Sequence, residues 1–450
     1  MDLTRGSIPK NLVVFSMPML IGAVLQTAYS LINAFWVGKY LGTNALAAIT
    51  VSFPSIFVLI AVAGGLTIAV NILVAQYVGA REWHRVKDVV QTSAILISGI
   101  GILFLGLGLY FADHLLRLMN TPEDVFLPAV HYLRIFFWAL PFGFSIFLIS
   151  AILRGIGDSR TPLYFQAVSV AVNTVLDPLL IFGLLGLPKL GLNGTAYASI
   201  ISQALVVIGL IVYIPRRRPL VTVDWRHLRF DLPTAWLLIR IGFPAMIQQS
   251  VVSVSIVFIV SFVSKFGSAA DAAFGAAIRI DQVAFLPALV MGMAVSTLSG
   301  QNLGAEQYER VRQTFWWGIL LSGGISLVIS ILVLAFPQVF LHTFLNDPAV
   351  IKIGVDYLHI VGITYTLFSI MFISNGVING SGHTVPTTLI SIITLWGIRI
   401  PLAWVLPDYL QSARGIWFAM LASVFCGMIL SLAYYATGRW KKPVIKHRRV

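Results

Sequence analysis

Along the chain, long apolar runs alternate with short polar or Gly/Pro-bearing breaks. Twelve runs stand out, at residues 12–38, 46–75, 91–115, 129–153, 163–184, 194–215, 237–263, 271–300, 313–337, 351–377, 387–406 and 415–437. A helix needs about 20 apolar residues to cross the hydrocarbon core of a bilayer, and each run reaches or approaches that length. The pattern therefore predicts an all-α integral membrane protein with twelve transmembrane helices. The first run follows a basic N-terminus but is too long for a signal-peptide core of about 7–15 residues and lacks a clear cleavage site. It is predicted to be the first spanning helix.

The pattern repeats. "QYVGAREWHRV" at 76–86 answers "QNLGAEQYERV" at 301–311, 225 residues on, and "AVHYLRI" at 129–135 answers "GVDYLHI" at 354–360. "LRGIGDSRTP" at 153–162 answers "INGSGHTVP" at 378–386, and Pro178 answers Pro401. Several matches in one order at nearly one offset make a duplication. Six spans, an even number, separate the copies, so both halves run the same way through the membrane. That predicts two six-helix lobes related by a pseudo-twofold axis along the membrane normal, an arrangement found in transporters. The expected layout is an N-terminal lobe at 1–215, a cytoplasmic linker at 216–236, a C-terminal lobe at 237–437 and a basic cytoplasmic tail at 438–450. The glycines of the QxxGA stretches are expected at tight turns or close helix contacts.

Composition sharpens the assignment. Hydrophobic residues make up 58% of the 450 and charged residues 10%, with a mean hydropathy of +0.90. A soluble domain carries about 25% charged residues, so this chain has too little polar surface to coat a water-exposed globule. The net charge of +13 does not point to nucleic acid, because the basic residues cluster at the ends of apolar runs. Of the 30 Lys and Arg, 21 fall in segments on the N-terminal side of the membrane and six on the other. By the positive-inside rule both termini are cytoplasmic. The single cysteine, Cys426, has no partner and forms no disulfide framework. No GxxxxGK[ST], HExxH or CxxC occurs, which argues against ATP use by the chain itself and against an enzyme. No cofactor is expected.

Four stretches, "FWVGKYLGTNALAAIT", "ILRGIGDSRTP", "NTVLDPLLIFG" and "QNLGA", together resemble the multidrug and toxic compound extrusion, or MATE, transporters. The likeness spans essentially the whole chain, and "NTVLDPLLIFG" is most similar to the prokaryotic DinF-like branch. The second-lobe stretch "WGIRIPLAWV" carries no acid, unlike branches whose acidic residues lie there. The resemblance implies a monomeric, multi-pass protein of a prokaryotic cytoplasmic membrane. It implies export of organic, cationic and amphipathic small molecules, exchanged for protons or sodium by alternating access. A rival reading is a flippase of a lipid-linked or polysaccharide precursor. That would call for a larger, more basic cleft and often more spans.

The acidic residues sort by depth. Asp177 lies 14 residues past Leu163, about 21 Å along a helix rising 1.5 Å per residue. Placing an ionised Asp at mid-bilayer costs about 2.5–3.5 kcal/mol on insertion scales, so the residue needs partners or a purpose. Asn173 is one helical turn earlier, Thr195 opens the next helix at similar depth, and Asn33 stands at outer-half depth in the first span. Taking a carboxylate out of water favours its protonated form, so such a group can take a proton from one side and release it to the other. Pro178 removes a backbone donor and favours a kink. The structural alternative is that Asp177 only satisfies groups freed at that kink. By resemblance, Asn173, Asp177 and Thr195 match the first-lobe cation site of MATE relatives, with the carbonyl near Gly191 joining. Relatives commonly carry an acid where this chain has Asn33. Loss of that second carboxylate favours a proton over Na⁺ at Asp177.

For the substrate, Asp281, Gln248 and Gln249 are candidate polar groups. Phe35, Trp36, Phe53, Phe274, Phe285, Met291 and Met293 are candidate apolar ones, because aromatic and Met side chains suit flat cations. Each has a packing or helix-bonding alternative. Asp281 is two residues from Arg279 and on a different helix face. Arg399 and His359 are weaker candidates for the cavity, with reaching outward to the interface as their alternative.

Overall fold

The computed structural model describes residues 1–119, 121–224 and 228–445. The side chains at 43, 46, 53–55 and 58 lie outside that description. Its helices are α1 (Ile8–Tyr40), α2 (Thr43–Gly79), α3 (Trp83–Leu118), α4 (Glu123–Phe137), α5 (Leu140–Gly155), α6 (Arg160–Phe182), α7 (Leu192–Arg217) and α8 (Leu232–Ser264). They continue with α9 (Ser268–Gly304), α10 (Tyr308–Ala335), α11 (Pro337–His342), α12 (Pro348–Val361), α13 (Thr364–Gly380), α14 (Thr384–Ile392), α15 (Ile400–Leu410) and α16 (Arg414–Ala436). A π-helical segment, Ile393–Arg399, joins α14 to α15.

Among the described residues ten helices are long and apolar enough to cross a membrane, and two bent pairs bring the number to twelve. The pairs are α4 with α5, bent by 45°, and α12 with α13, bent by 43°. They are the fourth and tenth spans, related by the sequence repeat. At the first break Pro141 stands in the opening turn of α5, where its missing N–H breaks no helical bond. At the second, a Cβ on Gly362 would lie 2.4 Å from the Leu358 carbonyl oxygen, so the turn closes only without a side chain.

The chain divides into two compact units. One comprises Met1, residues 17–74 and residues 82–242; the other comprises residues 2–16, residues 75–81 and the chain from Phe243 onward. The division falls just after the expected linker, but the chain start and the end of α2 join the second unit. The reason lies in the QxxGA stretches. In the second unit, a Cβ on Gly79 would lie 1.9 Å from the Gln301 carbonyl oxygen, and one on Gly304 would lie 1.9 Å from that of Gln76. The ends of α2 and α9 therefore cross with backbones in contact, and glycine is what permits it. Gln301, Asn302 and Gln76 hold the segments around Leu3 and Ile445. The Leu3 N–H donates to Gln301 Oε1 at 3.2 Å, the Asn302 amide donates to the Leu3 carbonyl at 3.3 Å, and the Ile445 N–H donates to Gln76 Oε1 at 3.4 Å.

In the first unit, Asp158 anchors the start of α6. Its carboxylate accepts the Thr161 N–H at 3.0 Å, capping the helix, and the Thr161 hydroxyl at 2.9 Å. Arg218, just past α7, donates to it at 2.8 Å. Burial alone would raise this carboxyl, but the Thr161 and Arg218 bonds outweigh burial and hold it below the ordinary aspartate range. With its folded value depressed, the anchor is at full strength above about pH 4, the unfolded value. It is lost as the pH falls below that. Asp158→Asn should thus lower the melting temperature at pH 7, and the gap to wild type should close as both are measured toward pH 3. Gly304→Val should cost about 3 kcal/mol or more, because backbone cannot move aside as a side chain can. Gly275→Ala, which meets nothing within 4 Å, should be neutral; thermal unfolding in detergent reads both.

Candidate coupling site

Three local features put Asp177 where it is. The α6 helix runs without interruption through Pro178, whose missing N–H leaves the Thr174 carbonyl without its helical donor. It ends at Gly183, which takes the left-handed conformation with φ 71°. The chain then returns into α7, where Gly194 has no room for a side chain: a Cβ there would be 2.8 Å from the Leu180 backbone carbon. That close approach brings Thr195, the next residue, against the face of α6 that carries the acid.

Asp177 has no exposed surface, Asn173 keeps 5% and Thr195 2%. Among the described residues, both Asp177 carboxylate oxygens and Asn173 Oδ1 are buried without a hydrogen-bond partner. A buried, unpartnered carboxylate is strongly disfavoured unless it is protonated or paired with a cation. The unused Asn173 oxygen, one turn away, adds a neutral acceptor. Three free oxygen acceptors, with no basic donor beside them among the described residues, suit a proton, or a hard cation that prefers oxygen ligands.

Two tyrosines complete the surroundings, and the sequence did not single them out. Tyr132, on α4, bonds the Thr195 side chain and lies within electrostatic range of Asp177. Tyr29, on α1, is also within range of Asp177 and bonds Ser199. Its hydroxyl receives the Asn33 amide at 3.1 Å. The half-buried Asn33 is thus engaged with Tyr29. The spacing of Tyr29 and Asn33, four residues on one helix face, was the available signal. Gly191 precedes α7 with φ 55°, and its carbonyl accepts the Gly194 N–H at 3.0 Å. The described cavities of this unit lie elsewhere, one beneath Leu148, Ile152 and Val221 and one beside Trp138 and Tyr197.

Asp281, on α9, has the opposite environment. It is 6% exposed, and each carboxylate oxygen accepts a tyrosine hydroxyl: Tyr357, and Tyr365 at 2.6 Å. The guanidinium of Arg399, at the end of the π-helical segment, lies within charge–charge reach of Asp281. Arg399 turns inward to donate to Ser423 Oγ at 2.8 Å and does not reach outward to the interface as the sequence suggested. Arg279 is exposed and stands over the Phe344 ring, and His359 is exposed.

The remaining substrate candidates are dispersed. Phe274 is buried, stacked on Trp417 and edge-on to Tyr357. Met291 is buried too, and Phe285 packs on Tyr365 and Phe368. Gln248 donates to Ser391 Oγ at 2.9 Å, linking α8 to α14, whereas Gln249 and Met293 are exposed. At the start of the chain, Phe35 is exposed under Lys39, and Trp36 meets Phe182 edge-on. Phe53 lies in α2, with its side chain outside the described ones.

The MatE family model matches the chain twice, over residues 18–179 and 244–405, with the two matches displaced by nearly the offset of the sequence repeat. The chain belongs to the MatE family. Among relatives, the probable multidrug resistance protein YoeA of Bacillus subtilis is 35% identical over 98% of this chain and 96% of its own length. The probable multidrug resistance protein NorM of Thermotoga maritima is 27% identical over 98% and 95%. A solved MOP-superfamily transporter from Pyrococcus furiosus shares the fold with a TM-score of 0.90 at 23% identity, covering 98% of both chains. This MatE protein is accordingly a multi-pass membrane protein of a transporter family.

The two buried acids should respond differently to the same change. Asp281→Asn removes the charge opposite Arg399 and should cost about 3–5 kcal/mol of stability, as breaking a buried pair does. Asp177→Asn breaks no bond and should stay within about 1 kcal/mol of wild type. Thermal unfolding of both purified variants at neutral pH checks the contrast.

Proposed function

We propose that this MatE protein is an antiporter that exports organic cations by alternating access, and that Asp177 is the group at which coupling ion and substrate charge exchange. The observation that carries the reading is the pair of buried, partnerless Asp177 oxygens. A site with an unmet negative charge is stable with a proton, a metal cation or an organic cation close by. These alternatives exclude one another when one carboxylate must serve all three. The relatives reported above are named multidrug resistance proteins, which supports small organic molecules as cargo over a lipid-linked or polysaccharide precursor.

Protons are favoured over sodium. A sodium ion wants several oxygen ligands and, in an apolar setting, enough negative charge to offset its lost hydration. Here a single carboxylate is present, and Asn33 donates to Tyr29. Asp177 and Asn173 would be the protein groups that hold sodium if it bound, and a proton needs only the carboxyl. The working location is the cytoplasmic membrane of a prokaryotic cell with both termini inside, as the distribution of Lys and Arg supports.

The test uses purified protein in liposomes, with ethidium as the organic cation and either a proton or a sodium gradient imposed. Wild type should move ethidium under the proton gradient, and Asp177→Asn should reduce the rate at least tenfold while eluting as folded protein. Asn33→Asp should gain sodium-driven transport. Normal transport by Asp177→Asn would overturn the reading.

A further inference from the structure

Beneath the linker that follows α7, the first unit holds an apolar cavity of about 140 Å³. Leu148 and Ile152 of α5 form one wall, Ile211 and Ile214 of α7 form another, and Val221 and Thr222 of the linker close the end. Thr222 is the one polar residue in that lining among the described residues, and its hydroxyl is turned to the Arg218 carbonyl at 3.4 Å. An apolar cavity of about this size stays dry and takes a benzene-sized hydrocarbon. A bilayer supplies hydrocarbon. Ile211 is 45% exposed and stands at the edge of an exposed apolar face of α7 that carries Leu205, Ile208 and Val212. The cavity therefore borders the side of α7 that meets lipid.

The chemistry changes at the rim. Residues 216–220, "RRRPL", run between the α7 wall and the linker wall, which places three arginines within a short turn of the cavity. Arg218 is taken, because it donates to Asp158 at 2.8 Å. Arg216 and Arg217 are exposed, and among the described residues no carboxylate pairs with either, neither Asp158 nor Asp224. Leu220, Leu228 and Phe230 are exposed on the same linker. Basic and apolar side chains mixed in this way suit the headgroup level of a bilayer. Two free guanidiniums beside an apolar cavity match a phosphate joined to a hydrocarbon chain.

We propose that this rim and cavity bind one anionic phospholipid, with part of an acyl chain lodged between α5 and α7 and the headgroup phosphate held by Arg216 and Arg217. A zwitterionic lipid carries its own cation beside the phosphate and gains less from the two arginines. A free phosphate leaves the cavity unfilled. The bound lipid holds the linker at Val221 and Thr222 against both helices, so it steadies the end of α7. None of these residues belongs to the Asp177 site, and the proposal stands apart from the antiport reading.

Native mass spectrometry tests it, on delipidated protein titrated with dioleoyl phosphatidylglycerol or with dioleoyl phosphatidylcholine, which has the same chains. Wild type should hold one phosphatidylglycerol about tenfold more tightly than phosphatidylcholine. Arg216→Gln/Arg217→Gln should bring the two lipids to equal affinity, and Ile211→Trp, which enlarges the exposed wall of the cavity, should weaken both. Phosphatidylglycerol with a diazirine on its acyl chain gives a readout that needs no variant. Its label should fall on peptides covering residues 148–153 and 211–223. Equal affinity of wild type for the two lipids, or a preference that survives in the arginine variant, overturns the proposal. So does displacement of phosphatidylglycerol by excess inorganic phosphate, binding that ignores Ile211→Trp, or label spread over the other spans.

Discussion

A carboxylate without a partner inside an apolar helix bundle is the constraint on which this molecule turns. Water would solvate Asp177 at no structural expense; in the first unit neither of its oxygens is met by a hydrogen-bond donor among the described residues. The protein gains nothing in stability from such a group, and nearby features serve to keep it there. Gly194 lets α7 touch α6, Thr195 and Asn33 are tied up with Tyr132 and Tyr29, and the helix runs through Pro178 unbroken. The outcome is a negative charge whose stability depends on what occupies the space beside it, and the proposed exchange rests on that dependence.

The second unit gives its buried acid the opposite surroundings. Asp281 has its donors, its opposite charge and its packed shell. The stretch that answers α6 in the repeat carries Arg399 near Pro401, and a π-helical turn there, a device often seen at functional or strained sites, lets the arginine enter the core. Within a repeated architecture, one unit thus holds an acid with unmet oxygens and the other an acid with each oxygen met by a tyrosine.

Much of this was written in the sequence. Span positions followed from apolar length, and the duplication from "QYVGAREWHRV" and "QNLGAEQYERV", because glycine is required where α2 and α9 cross backbone to backbone. Asp177 stood out because an acid among "NTVLDPLLIFG" has no local reason to be there. Other features were not legible. Tyr29 and Tyr132 look like ordinary aromatic members of apolar runs, and only folding brings their hydroxyls toward Asp177. Asp281 and Arg399 are 118 residues apart in the numbering, so neither announces the other. Phe274, Phe285 and Met291 have the composition of a binding surface, but composition cannot separate that from the packing they form.

The central claim is that Asp177 itself exchanges a proton for substrate charge, and infrared difference spectroscopy of the protein in lipid, with and without ethidium, tests it most directly. The account predicts that ethidium removes absorbance from a protonated-carboxyl band, that ionised-carboxylate absorbance rises in step, and that both changes vanish in Asp177→Asn. A carboxyl band that ignores ethidium, or a change that persists in Asp177→Asn, would contradict it.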